Sequence, residues 1–374
     1  MIDTKAFYDA LKERGLDFFV GVPDSLLKNL CACIKENSPA QRNIIAANEG
    51  NAVGIAAGYH VATGKRAVVY MQNSGLGNAV NPLLSLADEE VYRIPMLLVV
   101  GWRGEPGVRD EPQHVKQGKL TLPLLETMGI EAVLLEDGFE RCLDRCLAAM
   151  DRAGKPVALV VRKGAFSPYG LEKPADRFAI RREEALARLL ESLEPEAYLV
   201  TTTGKTSREL FELRAGRGEG HDRDFLTVGS MGHTASIALG MSLGTERNVY
   251  CVDGDGSFLM HLGGMGVAAR NAGGNFKYIL INNGAHESVG GQPTIALDID
   301  GEGVLRDLGF GPVLAARTGD EVAAAVARLR GEPRGALVIY VNQGSREDLG
   351  RPTVAPEQNK QAMMAQFRAE GAER

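Results

Sequence analysis

Short runs of consecutive apolar residues recur along the chain, and most of the stretches between them carry apolar residues at helical spacing. In the first half the runs cover 18–22, 43–46, 67–70, 96–100, 132–135 and 157–161; in the second they cover 198–201, 225–228, 249–252, 278–281 and 337–341. A strand that is apolar at successive positions is buried on both faces, so helices must cover the sheet on either side. Strands alternating with helices predict an α/β chain built from two doubly wound parallel-sheet domains. Between 162 and 179 the pattern fades and Pro168 and Pro174 interrupt it. The expected division is a first domain over 1–165, a linker over 166–180 and a second domain over 181–374.

In open parallel sheets, ligands bind beyond the carboxyl ends of the strands. Two motifs stand at such ends. Gly254-Asp255-Gly256-Ser257 follows the run at 249–252, and Asn282-Asn283 follows the run at 278–281. One helix fits between them, as two parallel strands require. The glycines let backbone approach a phosphate. The Asp and Asn oxygens suit a hard cation such as Mg2+, which also takes phosphate oxygens. The pattern predicts a magnesium-diphosphate site. Two other motifs fail on context. Thr203-Gly204-Lys205-Thr206 ends like a phosphate-binding P-loop, but Leu199 stands where the loop needs its first Gly. Gly264-Met265-Gly266-Val267-Ala268-Ala269 fits a dinucleotide fingerprint but reads as helix interior.

With GDGS and NN at strand ends, the chain resembles the thiamin-diphosphate enzymes. That resemblance implies thiamin diphosphate and Mg2+ as cofactors, with Asp255, Asn283 and the Ala285 carbonyl as metal ligands. It also implies that Glu49, at the head of the small-residue stretch 47–59, bonds the aminopyrimidine ring and stabilises its imino tautomer. A lone acid there would otherwise need only the helix dipole as its reason. In Val228-Gly229-Ser230-Met231-Gly232-His233, Met231 fits the residue that wedges between the cofactor rings, and the Gly229 carbonyl fits the partner of the pyrimidine amino group. Without the resemblance Met231 reads as a core methionine. Thr203 and Gly204, with Gly254, Gly256 and Ser257, match positions beside the diphosphate.

The reaction depends on the loops. Gly21-Val22-Pro23-Asp24-Ser25 leaves the first strand; Asp24 is either a helix N-cap or, as in simple 2-oxo-acid decarboxylases of the family, a proton shuttle. Gln72 opens a second polar loop. The longest, over 101–118, carries Arg103, Arg109, His114 and Lys116. Arginine recognises anionic oxygens with a fork of donors, and histidine can act as general acid near neutral pH. A cationic loop beside a 2-oxo-acid site implies a substrate with a second anionic group, with Ser25, Gln72, Arg103, Arg109 and Lys116 as candidate contacts. These loops, with TTTGKTSREL and NNGAHESVGGQ, resemble the phosphonopyruvate decarboxylases over essentially the whole chain, with the sulfopyruvate decarboxylases as near relatives. The resemblance implies loss of CO2 from 3-phosphonopyruvate through a thiamin-bound enamine to give phosphonoacetaldehyde, in phosphonate biosynthesis. Sulfopyruvate decarboxylation is the near alternative, and acetolactate-synthase-like carboligation is the alternative of another class. The protonating acid stays open among His114, His286, Glu287 and Asp24.

Composition narrows the partners. A net charge of −6 over 374 residues gives no ground for nucleic-acid binding. No apolar run reaches membrane-spanning length, nothing reads as a signal peptide, and the five cysteines read as reduced core thiols, so a cytoplasmic protein is expected. The family resemblance implies a homodimer or larger oligomer whose active sites are shared between chains.

Overall fold

A computed structural model describes residues 1–172 and 174–372. It divides into two compact units, Met1–Lys173 with His286–Gln292, and Pro174–Ala285 with Pro293–Arg374. The first holds a six-stranded sheet of β1 (Phe19–Gly21), β2 (Asn43–Ile45), β3 (Val68–Gln72), β4 (Leu97–Gly101), β5 (Ala132–Leu134) and β6 (Val157–Val161). Their order is β2-β1-β3-β4-β6-β5, and every pairing is parallel. The side chains alternate between two cores: Val68 and Tyr70 enter one, Val69 and Met71 the other. That two-sided burial is why the strands read as unbroken apolar runs. Each fully buried Val or Leu contributes roughly 1.5–3 kcal/mol relative to exposure.

The second unit contains β7 (Tyr198–Thr201), β8 (Asp224–Leu226), β9 (Val249–Gly254), β10 (Phe276–Asn282), β13 (Val313–Ala316) and β14 (Ala336–Tyr340), and the short β11 (Ala285–His286) and β12 (Gln292–Pro293) straddle its bounds, with His286 and Gln292 in the first unit. Six of them form a parallel sheet in the order β13-β14-β10-β9-β7-β8, while β11 and β12 pair with each other. β13, Val-Leu-Ala-Ala at a sheet edge with only Ala316 buried, is apolar throughout but is not among the runs above. The chain 264–269 lies inside the helix Leu262–Asn271, so it is not a nucleotide loop.

The strand orders place the loops. In the first sheet the chain turns one way after β1 and the other way from β3, so the loops after β1 and β3 flank a topological switch point. In the second sheet the loops after β7 and β9 do the same. Switch points are where doubly wound sheets bind ligands. The five cysteines are free thiols. Among the described residues no helix is long and apolar enough to cross a membrane.

Candidate active site

In the first unit, the helix Glu49–Thr63 is N-capped by Asn48, whose side chain accepts from the Asn51 N–H at 2.9 Å. Glu49 is therefore not needed as the cap. Its side chain turns inward, is 5 % exposed, and accepts from Asn78 Nδ2 at 2.8 Å. The carboxyl lies directly on Gly75, where a methyl group would overlap it.

Asp24 is fully buried, and it is not a helix cap: the next helix, Lys28–Asn37, is capped at Leu27 with no side-chain bond. Asp24 Oδ2 accepts from the Leu26 N–H at 3.0 Å and lies against Gly101, at the end of β4. Burial raises its pKa to about 6, against the opposing pull of the Leu26 N–H and the Arg103 charge. Beside it, Ser25 Oγ donates to Asp24 Oδ1 at 3.5 Å and accepts from Arg103 Nη1 at 2.7 Å.

Arg103 is held at both backbone and side chain. Asn73, just past β3, donates to the Arg103 carbonyl at 2.8 Å and accepts from its N–H at 3.2 Å. Asp110 binds the guanidinium through Nε (2.8 Å) and Nη2, and also accepts from the N–H groups of Gly104 and Glu111 at 2.8 Å each. The loop is closed by Trp102 Nε1, which donates to the Gly118 carbonyl at 2.8 Å. Gly104 and Gly118 pack backbone to backbone there, with no room for a side chain on either.

The sequence-derived candidates thus separate. Asp24, Ser25 and Arg103 form one connected cluster. Gln72 instead donates to Ser74 Oγ at 2.6 Å, and Arg109 and Lys116 are exposed. His114 is buried with Nδ1 unpartnered, and its pKa falls to about 4 through burial and the Arg103 charge, with Asp110 opposing. Burial also lowers His286 to about 4. At these pKa values both imidazoles favour the neutral form at pH 7. Asn73, Asp110 and Gln292 were missed. Gln292 is 1 % exposed with neither amide atom partnered, and it follows Gly290 and Gly291, which have φ of 123° and 79°. Only the paired glycines of GGQ signalled it.

In the second unit, β9 delivers Asp255 into the first turn of the helix Asp255–Met260. Its Oδ1 accepts from the Gly256 N–H at 2.7 Å, and its Oδ2 from the Ala285 N–H at 3.0 Å and Thr294 Oγ1 at 3.1 Å. Asn283 Oδ1 accepts from the same Ala285 N–H at 3.1 Å. So Asp255, Asn283 and Ala285 do converge. Asn282 ties the turn down: it accepts from the Gly284 N–H at 3.1 Å and donates to the Ala296 carbonyl at 2.9 Å. Behind them Asp253 accepts from Tyr278 Oη at 3.2 Å. Burial raises Asp255 to about 6 despite its donors. Its oxygens keep lone pairs for a cation. No cluster of three or more His, Cys, Asp or Glu able to hold a metal occurs among the described residues. One carboxylate with carboxamide and carbonyl oxygens fits a cation that draws its remaining ligands from a phosphate.

The backbone around these groups is sharply turned. Gly204 has φ 92°, and Thr203 Oγ1 donates to the Val228 carbonyl at 2.8 Å, next to Gly229. Met231 stands between Ser230 (φ 55°) and Gly232 (φ 86°), and the Gly232 N–H donates to Ser257 Oγ at 3.0 Å. Positive φ at a non-glycine residue is uncommon and collects at functional turns. A carboxylate, a carboxamide and sharply turned backbone, gathered beyond the strand ends of a doubly wound sheet, are the setting that the thiamin-diphosphate resemblance implies.

Family comparison agrees. Residues 4–122 match the N-terminal, and residues 203–340 the C-terminal, thiamine pyrophosphate binding domain of the thiamine pyrophosphate enzymes. Phosphonopyruvate decarboxylases from Streptomyces viridochromogenes and Streptomyces hygroscopicus are each 35% identical to this chain, covering 95% of it and 92% of their own length. Sulfopyruvate decarboxylase from Methanosarcina acetivorans is 31% identical over 77% of this chain and 78% of its own. The chain belongs to the phosphonopyruvate decarboxylase family of thiamine-pyrophosphate-dependent enzymes.

Proposed function

We propose that this protein converts 3-phosphonopyruvate and a proton into phosphonoacetaldehyde and CO2, with thiamin diphosphate and Mg2+ as cofactors. The observation that carries the reading is the Asp24-Ser25-Arg103 cluster: a buried acid with pKa about 6, linked through one hydroxyl to an inward-turned guanidinium. Bound thiamin diphosphate supplies a nucleophilic carbon for the 2-oxo group and a sink for the electrons that CO2 leaves behind. Asp255, Asn283 and the Ala285 carbonyl would hold Mg2+; Thr203, Gly204, Gly254, Gly256 and Ser257 would bind the diphosphate; Gly229 and Met231 would contact the ring end of the cofactor. Glu49 would accept a hydrogen bond from the aminopyrimidine end of the cofactor and so favour its imino form. Arg103 binds the phosphonate. Of the four candidate acids, Asp24 has the resolved pKa nearest neutrality, so it delivers the proton consumed in the reaction. Both neutral histidines can still donate a hydrogen bond to an anionic oxygen.

Homodimerisation belongs to the same reading. By family resemblance, Glu49 of one subunit and Asp255 of the partner subunit serve one cofactor. Sulfopyruvate is the second substrate to weigh, because Asp110 already neutralises part of the Arg103 charge, which suits a singly charged tail. The test is purified protein with thiamin diphosphate and Mg2+, given phosphonopyruvate, with CO2 and organic product both quantified. Equal amounts of CO2 and free aldehyde support the reading. A hydroxyketone product would make the protein a carboligase.

A further inference from the structure

Arg103 has two independent sets of restraints. Asn73 fixes its main chain by accepting from its N–H and donating to its carbonyl. The loop that follows is closed elsewhere, by the Trp102 indole on Gly118 and by the Gly104–Gly118 backbone contact. What these leave undetermined is the direction of the long Arg103 side chain, which has several rotatable bonds and loses considerable entropy when fixed. Asp110 removes that freedom. Its two oxygens take the Nε and Nη2 donors as a fork. Asp110 is itself anchored by the Gly104 and Glu111 N–H groups.

The donor count is then informative. A guanidinium has five N–H groups in a fixed plane and accepts nothing. Asp110 occupies two and Ser25 one, so one N–H remains on Nη1 and one on Nη2. One N–H of each of these nitrogens is therefore left for an oxygen of a phosphonate, sulfonate or carboxylate. Burial pushes the Asp110 carboxyl up, but the Arg103 bonds and the Gly104 N–H outweigh it and bring its pKa to about 2. The pair therefore stays ionised and closed through the neutral range.

We propose that Asp110 is the positioning residue of the substrate site: it grips Arg103 along the Nε/Nη2 edge, so that the remaining Nη1 and Nη2 donors meet the anionic tail of the substrate. This rests on the reading of Arg103 as the group that recognises that tail. Asp110 itself touches no substrate. It acts through Arg103, and its removal shows as lost discrimination for the tail.

The experiment compares Asp110→Asn, Arg103→Gln and the double variant, each as full-length holoenzyme, on phosphonopyruvate and on pyruvate, which lacks the tail. The readout is the ratio of the two kcat/KM values, with KM and kcat resolved. Asp110→Asn should lower the ratio about tenfold, the scale of one charged hydrogen bond, and the loss should fall on KM for phosphonopyruvate rather than on kcat. Added to Arg103→Gln, it should cause no further loss. Asp110→Ser, which can still accept from the Gly104 N–H but cannot fill the fork, serves if the Asn variant does not fold. If Arg103→Gln lowers the ratio and the Asp110 variants do not, the positioning role is wrong and the Arg103 reading stands. If the two losses multiply in the double variant, Asp110 acts independently of Arg103 and the proposal fails. If Arg103→Gln leaves the ratio unchanged, the Arg103 reading fails and takes the proposal with it.

Discussion

Glu49 has little freedom to be anything but a fixed acceptor, because Gly75 backbone walls one side of its carboxyl and Asn78 donates to the other. Glu49→Gln preserves that shape and removes the acid. It should keep thiamin diphosphate bound while lowering kcat roughly 10²–10⁴-fold, the usual range for one positioned acid or base. A cofactor titration beside kcat checks this. Asp24 offers a second measurement, which needs no cofactor. Its pKa in the fold, about 6, lies above the ordinary 3.8. The folded protein thus favours the protonated form. The stability this gives is fully present below pH 3.8 and is lost as pH rises through 6. Asp24→Asn cannot ionise, so relative to wild type it should gain of order 3 kcal/mol between pH 4 and pH 7. Denaturant unfolding of the cofactor-free protein at both pH values measures that gain. At this scale the sequence is legible where chemistry is local. Asp255 and Asn283 announce themselves by sitting just past apolar runs. Asp110 and Asn73 do not, because their meaning comes from Arg103, and Asn73 reaches it only through the packing of β3 beside β4. A count of charges on the loop also cannot say that Arg103 turns in while Arg109 and Lys116 face solvent. Arg109→Gln should accordingly change KM for phosphonopyruvate far less than Arg103→Gln, in the same steady-state assay.

Among the elements, the glycines do what no side chain could. Gly75 gives Glu49 its space, Gly101 gives Asp24 its space, and Gly104 with Gly118 lets the cationic loop fold back on itself. Gly75→Ala puts a methyl group on the Glu49 carboxyl. It should cost about 1–3 kcal/mol of stability, as overpacking does, and reduce turnover nearly as far as Glu49→Gln. Thermal melting and kcat on the same preparation test both halves. A Gly75→Ala enzyme with normal turnover would mean that the Glu49 position is not critical. Strands and helices were readable because both sheets are buried on both faces, which makes most strands unbroken apolar runs. The exception has a physical reason: β11 with β12 is a two-residue ladder too short for any periodicity.

At the scale of the molecule, each doubly wound unit carries its loops at a switch point, and each holds part of the expected cofactor site. The shared-site reading predicts complementation. Co-expressed Glu49→Ala and Asp255→Ala chains, each inactive alone, should regain activity in mixed dimers, where one of the two sites is free of both lesions. Mixed dimers isolated with two affinity tags should show about half the wild-type activity if sites act independently. Dead mixed dimers would place each whole site within a single chain. The central claim is narrower: this enzyme removes CO2 from a 2-oxo acid that carries a second anion. The most direct test is kcat/KM for CO2 release from phosphonopyruvate, sulfopyruvate and pyruvate under one set of conditions with thiamin diphosphate and Mg2+. The account predicts phosphonopyruvate first, and ahead of pyruvate by roughly tenfold to a hundredfold or more, the value of one or two charged hydrogen bonds to the tail. Equal values for phosphonopyruvate and pyruvate would contradict it, and a clear preference for sulfopyruvate would assign the enzyme to the other branch of its relatives.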